Sequence, residues 1–176
     1  LSLADAQWLF EGVVEVLSAV HGASLLHRDI KPSNLFLVDE GPGQRRLKLL
    51  DFGVAHTEVD SGKLTRTGQS VGTPWYMSPE QMRMKRDQWP DERSDLYSLG
   101  VVMFESLSGE LPYEGDSAVD LALKIFTEEP RDLAPLVPDL APGVTSLINR
   151  CLSRAPAGRP RDARSLEREL ENLDWS

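Results

Sequence analysis

The chain has 176 residues, enough for one domain with a sizeable buried core and too few for two ordinary ones. Hydrophobic residues make up 40% and charged residues 27%, the balance of a globular domain; a formal charge of −9 speaks against sequence-independent binding to nucleic-acid phosphates. Cys151 is the single cysteine, which excludes an intrachain disulfide, and no apolar run approaches the roughly 20 residues that span a bilayer.

The opening Leu1-Ser2-Leu3-Ala4-Asp5 has neither an initiator methionine nor the basic region of a signal peptide, so the chain is expected to be part of something longer. Ser2 and Asp5 have capping-box spacing, with Asp in place of the commoner Glu. Leu9, Val13, Val16, Leu17 and Val20 follow at three- and four-residue steps, which predicts a helix ended by Gly22. The apolar runs Leu35-Phe36-Leu37-Val38 and Leu47-Lys48-Leu49-Leu50 flank Gly41-Pro42-Gly43 and predict a hairpin. Residues from about 54 to 75 are rich in Ser, Thr and Gly without periodicity and read as a long loop. An apolar helix is expected over Ser94 to Leu107, stopped by Gly109. Three more helices are expected at about 117–127, 143–152 and 162–173, with Pro130, Pro135, Pro138 and Pro142 breaking the chain between the first two. One hairpin among about six helices makes the fold mainly α.

Two motifs carry chemistry. His27-Arg28-Asp29-Ile30-Lys31-Pro32-Ser33-Asn34 matches a protein-kinase catalytic loop, and Asp51-Phe52-Gly53 matches the magnesium motif that follows it. Either alone is weak; their order and spacing, with the hairpin between them, make them strong together. The chain resembles the protein kinase superfamily, specifically bacterial serine/threonine kinases of the eukaryotic-like type, over essentially its whole length. The resemblance implies that residues 1–176 form the C-terminal lobe of a catalytic domain whose overall fold is α+β.

It implies roles as well. Asp29 would take the proton of the substrate hydroxyl, Lys31 would face the transferred phosphoryl group, and Asn34 and Asp51 would hold magnesium through hard oxygen ligands. Phe36 would lie beneath the adenine of ATP, with core packing as the plain alternative. Lys31 and Thr73, in Gly72-Thr73-Pro74, point to Ser/Thr rather than Tyr hydroxyls on protein substrates. Glu80, in Ser78-Pro79-Glu80 where the family has Ala-Pro-Glu, would pair with Arg159. Asp95 would accept hydrogen bonds from catalytic-loop amides, or else cap its helix. His27 and Phe52 would stack in the hydrophobic spine between lobes. Arg28 and His56 would bind a phosphate carried by Thr65 or Thr67 in a regulatory switch. The acidic residues Glu105, Glu110, Glu114, Asp116 and Asp120 read as a solvated face, or as a lure for basic peptides.

The family's glycine-rich loop, ATP-binding lysine and its glutamate partner, all parts of the N-terminal lobe, do not occur in these 176 residues. The chain is therefore expected to fold alone but to turn over poorly, and to need that lobe as its partner. A non-catalytic kinase-like module and a small-molecule phosphotransferase are the competing readings. Intact Asp29, Lys31, Asn34 and Asp51 weigh against the first, and Thr73 with Ser-Pro-Glu against the second. A cytoplasmic location is expected, with any membrane anchor outside this segment.

Overall fold

The computed structural model describes residues 1–41, 44–51, 74–83 and 89–175. Helix α1, Leu3–Gly22, starts where Ser2 Oγ accepts the amide of Asp5 at 3.1 Å. It buries Ala6, Phe10, Val13, Val14, Leu17 and His21. Val13 and Leu17 belong to the stripe read from the sequence, whereas Leu9, Val16 and Val20 sit only partly buried at its edge. The buried face is rotated because α1 packs on three other elements, the segments Gln44–Leu49, Glu92–Ser108 and Ala163–Glu171. The helix ends as expected, but by another device: Gly22 is still helical, Ala23 is the C-cap, and Ser24 takes the left-handed backbone at φ 58°.

Strands β1, Leu35–Gly41, and β2, Gln44–Leu49, pair antiparallel with Leu35 opposite Leu49 and Leu37 opposite Leu47. Leu47 and Leu49 are buried in the core, and Phe36 and Leu37 are exposed. After a single 3-10 turn at Pro74–Tyr76 comes the short helix α2, Pro79–Arg83, which the periodicity did not reveal. Helix α3, Glu92–Ser108, then runs through the centre and is buried without a break from Ser94 to Phe104. Gly109 ends it at φ 76°, a left-handed conformation that suits glycine. Helices α4 (Ala118–Thr127), α5 (Pro142–Cys151) and α6 (Ala163–Glu171) complete the order. Ser117 and Asp162 cap α4 and α6, and Pro142 opens α5, where its missing N–H costs no hydrogen bond.

Most of the core forms one cluster around α3, joined by α1, α5, α6 and the inner face of the hairpin. A smaller cluster, Tyr113, Leu121 and Ile125, packs with Trp75 and Met82. Cys151 is fully buried against α3, and burial pushes its thiol up to about 12, so it behaves as a small apolar side chain. No helix among the described residues is long and apolar enough to cross a membrane. The mainly α architecture with one hairpin agrees with the sequence reading.

Two helical glycines respond oppositely to the same change. A Cβ on Gly12 meets Leu47 at 3.5 Å, an ordinary contact, whereas one on Gly100 meets the Cβ of Cys151 at 2.7 Å. Gly12→Ala is expected to raise stability by about 0.5–1 kcal/mol through helix propensity. Gly100→Ala is expected to lower it by about 1–3 kcal/mol through overpacking. Urea unfolding of the two variants decides; a stabilised Gly100→Ala would contradict the α3–α5 packing.

Candidate active site

The loop between α1 and β1 is held by its backbone. Asp95, 1% exposed in the first turn of α3, accepts the amide of His27 at 2.9 Å through Oδ2 and that of Arg28 at 2.8 Å through Oδ1. A carboxylate only accepts, so the His21 ring donates Nε2–H to Oδ2, at 2.9 Å. Asp95 is not the helix cap; Asp91 is, accepting the amide of Arg93 at 2.9 Å. Arg28 sits at φ 66°, a conformation that costs a non-glycine residue free energy and needs such restraint.

His27, fully buried, spans the two motifs. Its Nε2 donates to the carbonyl of Leu50 at 3.0 Å, and its Nδ1 accepts the amide of Asp29 at 3.3 Å. The stack expected with Phe52 falls outside the described residues.

Around Asp29 the polar groups converge. Lys31 Nζ lies 2.7 Å from Asp29 Oδ2. Asn34 Nδ2 donates to the Asp29 carbonyl at 2.7 Å and to Oδ2 at 3.1 Å. Both bonds use the Asn34 nitrogen, which leaves the carboxamide oxygen as its donor atom for a cation. The Leu50 amide donates to the Asn34 carbonyl at 2.9 Å and closes the open end of the hairpin. That bond brings Asp51, exposed and at φ 56°, to the same end of the hairpin as Asn34. An amide oxygen and a carboxylate are hard ligands and fit magnesium. Among the described residues no group of three or more His, Cys, Asp or Glu side chains gathers to hold a metal alone. A two-residue site completed by phosphate oxygens is the arrangement these residues fit.

Phe36 pairs with Lys48 across the hairpin and is 48% exposed, so it is not a core residue. His56, Thr65, Thr67 and Thr73 lie outside the described residues. Arg28 carries a buried Nε that has no hydrogen-bond partner among the described residues.

Glu80 and Arg159 form a buried two-pronged ion pair, Nη1–Oε1 at 2.6 Å and Nη2–Oε2 at 2.8 Å. Ser94 Oγ donates to the same carboxylate at 2.7 Å, and the guanidinium lies 4.9 Å from the centre of the Tyr97 ring. Burial by itself raises the Glu80 carboxyl; the hydrogen bonds and charge of Arg159, with the Ser94 hydroxyl, outweigh it and hold the group below its usual range. His21 and Ser94 were not singled out from the sequence, because each occupies a helical position with no local pattern.

The acidic cluster is largely engaged. Arg131 bonds Glu110 at 2.5 Å and Glu114 at 2.8 Å, Lys124 bonds Asp120 at 3.1 Å, and Tyr76 donates to Glu105 at 2.7 Å. Two cations against five carboxylates still leave the cluster net negative.

The sequence matches the protein kinase domain family over residues 1–170. The chain belongs to that family. It is 42% identical over 167 residues to the serine/threonine-protein kinase pkn3 of Myxococcus xanthus, covering 92% of this chain and 30% of that protein. It is 42% identical over 161 residues to PknA of Mycobacterium tuberculosis, covering 92% and 35%. AfsK of Streptomyces coelicolor is 40% identical over 157 residues, covering 89% and 18%. The chain thus spans about a third or less of the length of these relatives.

The buried pair predicts a pH response. Because the folded-state pKa of Glu80 is depressed, its contribution is present above the unfolded value of about 4.3 and is lost as pH falls through the folded value. Glu80→Gln should flatten the acid limb of the stability curve relative to the parent, measured by thermal unfolding from neutral pH downward. Glu80→Ala, which leaves Arg159 buried alone, should cost about 3–5 kcal/mol at neutral pH. Parallel acid limbs for the parent and Glu80→Gln would count against the assignment.

Proposed function

We propose that the protein containing this chain transfers the γ-phosphoryl group of ATP to Ser or Thr hydroxyls of proteins, with these residues supplying the C-terminal lobe of the catalytic domain. The observation that carries the reading is the setting of Asp29. Lys31 and Asn34 both engage its Oδ2, so Oδ1 is left to accept the substrate hydroxyl. As the substrate oxygen bonds to the γ-phosphorus and the bond to the ADP oxygen breaks, the proton passes to Asp29.

Lys31, already beside Asp29, serves the charge on the transferred group. Asn34 and Asp51 would hold magnesium, which neutralises phosphate charge when bound. Phe36, exposed on the hairpin, offers an apolar face to the adenine, and Thr73, which lies outside the described residues, is assigned to the substrate groove by the family resemblance alone. The family's glycine-rich loop and ATP-binding lysine are not among these residues, so the 176 residues alone should bind Mg-ATP weakly. The N-terminal lobe is the partner that supplies them. The site of action is the cytoplasm.

Regulation follows the same reading. Arg28 Nε is buried without a partner among the described residues, and a phosphothreonine at Thr65 or Thr67 brings oxygens that a guanidinium binds in a forked geometry. His56, outside the described residues, is the second basic side chain that the resemblance assigns to this phosphate. Mass spectrometry of the active full-length protein should find phosphate on one of these threonines, and Thr65→Ala/Thr67→Ala should lower activity. An unphosphorylated active enzyme would remove the switch.

Asp29→Asn in the full-length protein should lower kcat by several orders of magnitude and leave ATP affinity nearly unchanged, because Asp29 acts on the nucleophile. Steady-state kinetics with nucleotide titration check this; equal turnover would sink the assignment.

A further inference from the structure

Helix α2 opens on Ser78-Pro79-Glu80-Gln81. Ser78 is fully buried, and its Oγ accepts the amide of Gln81 at 3.4 Å. Gln81 Oε1 reaches back to accept from the Ser78 amide at 2.9 Å and from Ser78 Oγ at 3.0 Å. This reciprocal capping box uses the carboxamide oxygen, and a glutamate serves it equally well. The Ser78 N–H can only donate, so Oε1 must face it and the Gln81 nitrogen must face the other way. That nitrogen donates to the carbonyl of Arg28 at 3.0 Å.

The capping box has no need of this last bond. The Arg28 carbonyl and the Asp29 amide belong to one planar peptide, so fixing the carbonyl fixes the plane from which the Asp29 side chain departs. The same residue is at φ 66° with its amide on Asp95 Oδ1 at 2.8 Å. Asp95 therefore holds one side of Arg28 and Gln81 holds the other.

We propose that Gln81 is a positioning residue for Asp29, acting through the Arg28 carbonyl and coupling the orientation of the catalytic carboxylate to the seating of α2. Its consequence for turnover rests on the kinase reading above; the hold on the loop does not. A glutamate keeps the oxygen that the cap needs and loses the N–H that the loop needs. Methionine, similar in length, removes the donor and the cap oxygen together without adding charge, so its effect on the loop is read against Ser78→Ala, which disturbs the cap alone.

The test compares Gln81→Glu, Gln81→Met and Ser78→Ala in the full-length protein by thermal unfolding, kcat, KM for ATP and amide exchange over residues 27–30. Gln81→Glu keeps the cap but sets a carboxylate oxygen against the Arg28 carbonyl, so the melting temperature should fall modestly while kcat falls about tenfold with KM for ATP unchanged, the scale of one lost hydrogen bond. Gln81→Met should show the same loss of kcat, and both should exchange faster at residues 27–30. Ser78→Ala should lower the melting temperature more than it lowers kcat. Wild-type kcat and unchanged exchange in both Gln81 variants would reduce Gln81 to a helix cap and overturn the proposal. A parent protein without kinase activity would remove the kinase reading alone; exchange at residues 27–30 would then still decide whether Gln81 holds the loop.

Discussion

The buried carboxylate of Asp95 is the constraint from which the site follows. Taking a carboxylate out of water costs several kcal/mol unless its lone pairs are satisfied. Here two loop amides and the His21 ring satisfy them, and the position in the first turn of a helix favours negative charge. The loop cannot leave without orphaning that charge. The anchor is itself fixed, since α3 is buried from Ser94 to Phe104. Free energy invested in the core is thus converted into a defined backbone at Arg28 and Asp29.

The same turn of α3 gathers the other polar ties. The Arg93 carbonyl accepts from Arg159 at 2.9 Å, Ser94 donates to Glu80, and Ser98 donates to the Tyr76 carbonyl at 2.7 Å. Within six residues the central helix therefore holds the loop before β1, the start of α2 and the segment after α5. These segments are far apart in sequence, with Glu80 and Arg159 separated by 79 positions. A shift of α3 along its axis would break all of them together, which makes the arrangement cooperative rather than a sum of independent contacts.

The elements were legible in the sequence where local chemistry decides them. Ser2 with Asp5 marked the start of α1, Gly109 the end of α3, and two apolar runs the hairpin. What local pattern cannot encode was misread or missed. The buried face of α1 turned toward Phe10, Val14 and His21 because contact with three elements, not the helical period alone, sets it. Asp91 and Asp95 are both acidic residues near a helix start, and only the chain path shows which one caps. Helix α2 is five residues long, too short for periodicity, although the spacing of Ser78 and Gln81 is a capping signal in plain view. The Glu80–Arg159 pair came from family resemblance, since no window of sequence joins residues 79 positions apart. Asp29, Lys31 and Asn34 share one short window, but their roles also came from the resemblance, because spacing alone does not show that Lys31 and Asn34 turn onto one carboxylate.

The mode of restraint explains how one residue can serve two ends. Asp29 and Lys31 stand partly exposed at the surface, where apolar packing cannot orient them, so orientation comes from hydrogen bonds to peptide groups. These bonds hold the N–H and C=O of the loop and, apart from the His27 ring that accepts the Asp29 amide, do not depend on the side chains it carries. Arg28 is clamped by its amide and its carbonyl, and its strained φ is therefore maintained whether or not the guanidinium has a partner. On the proposed reading the side chain is left to bind a phosphate, while the backbone beneath it keeps the neighbouring carboxylate in place. A substitution of Arg28 that preserves the backbone would on this account separate regulation from catalysis, which a loop held by side-chain packing would not allow.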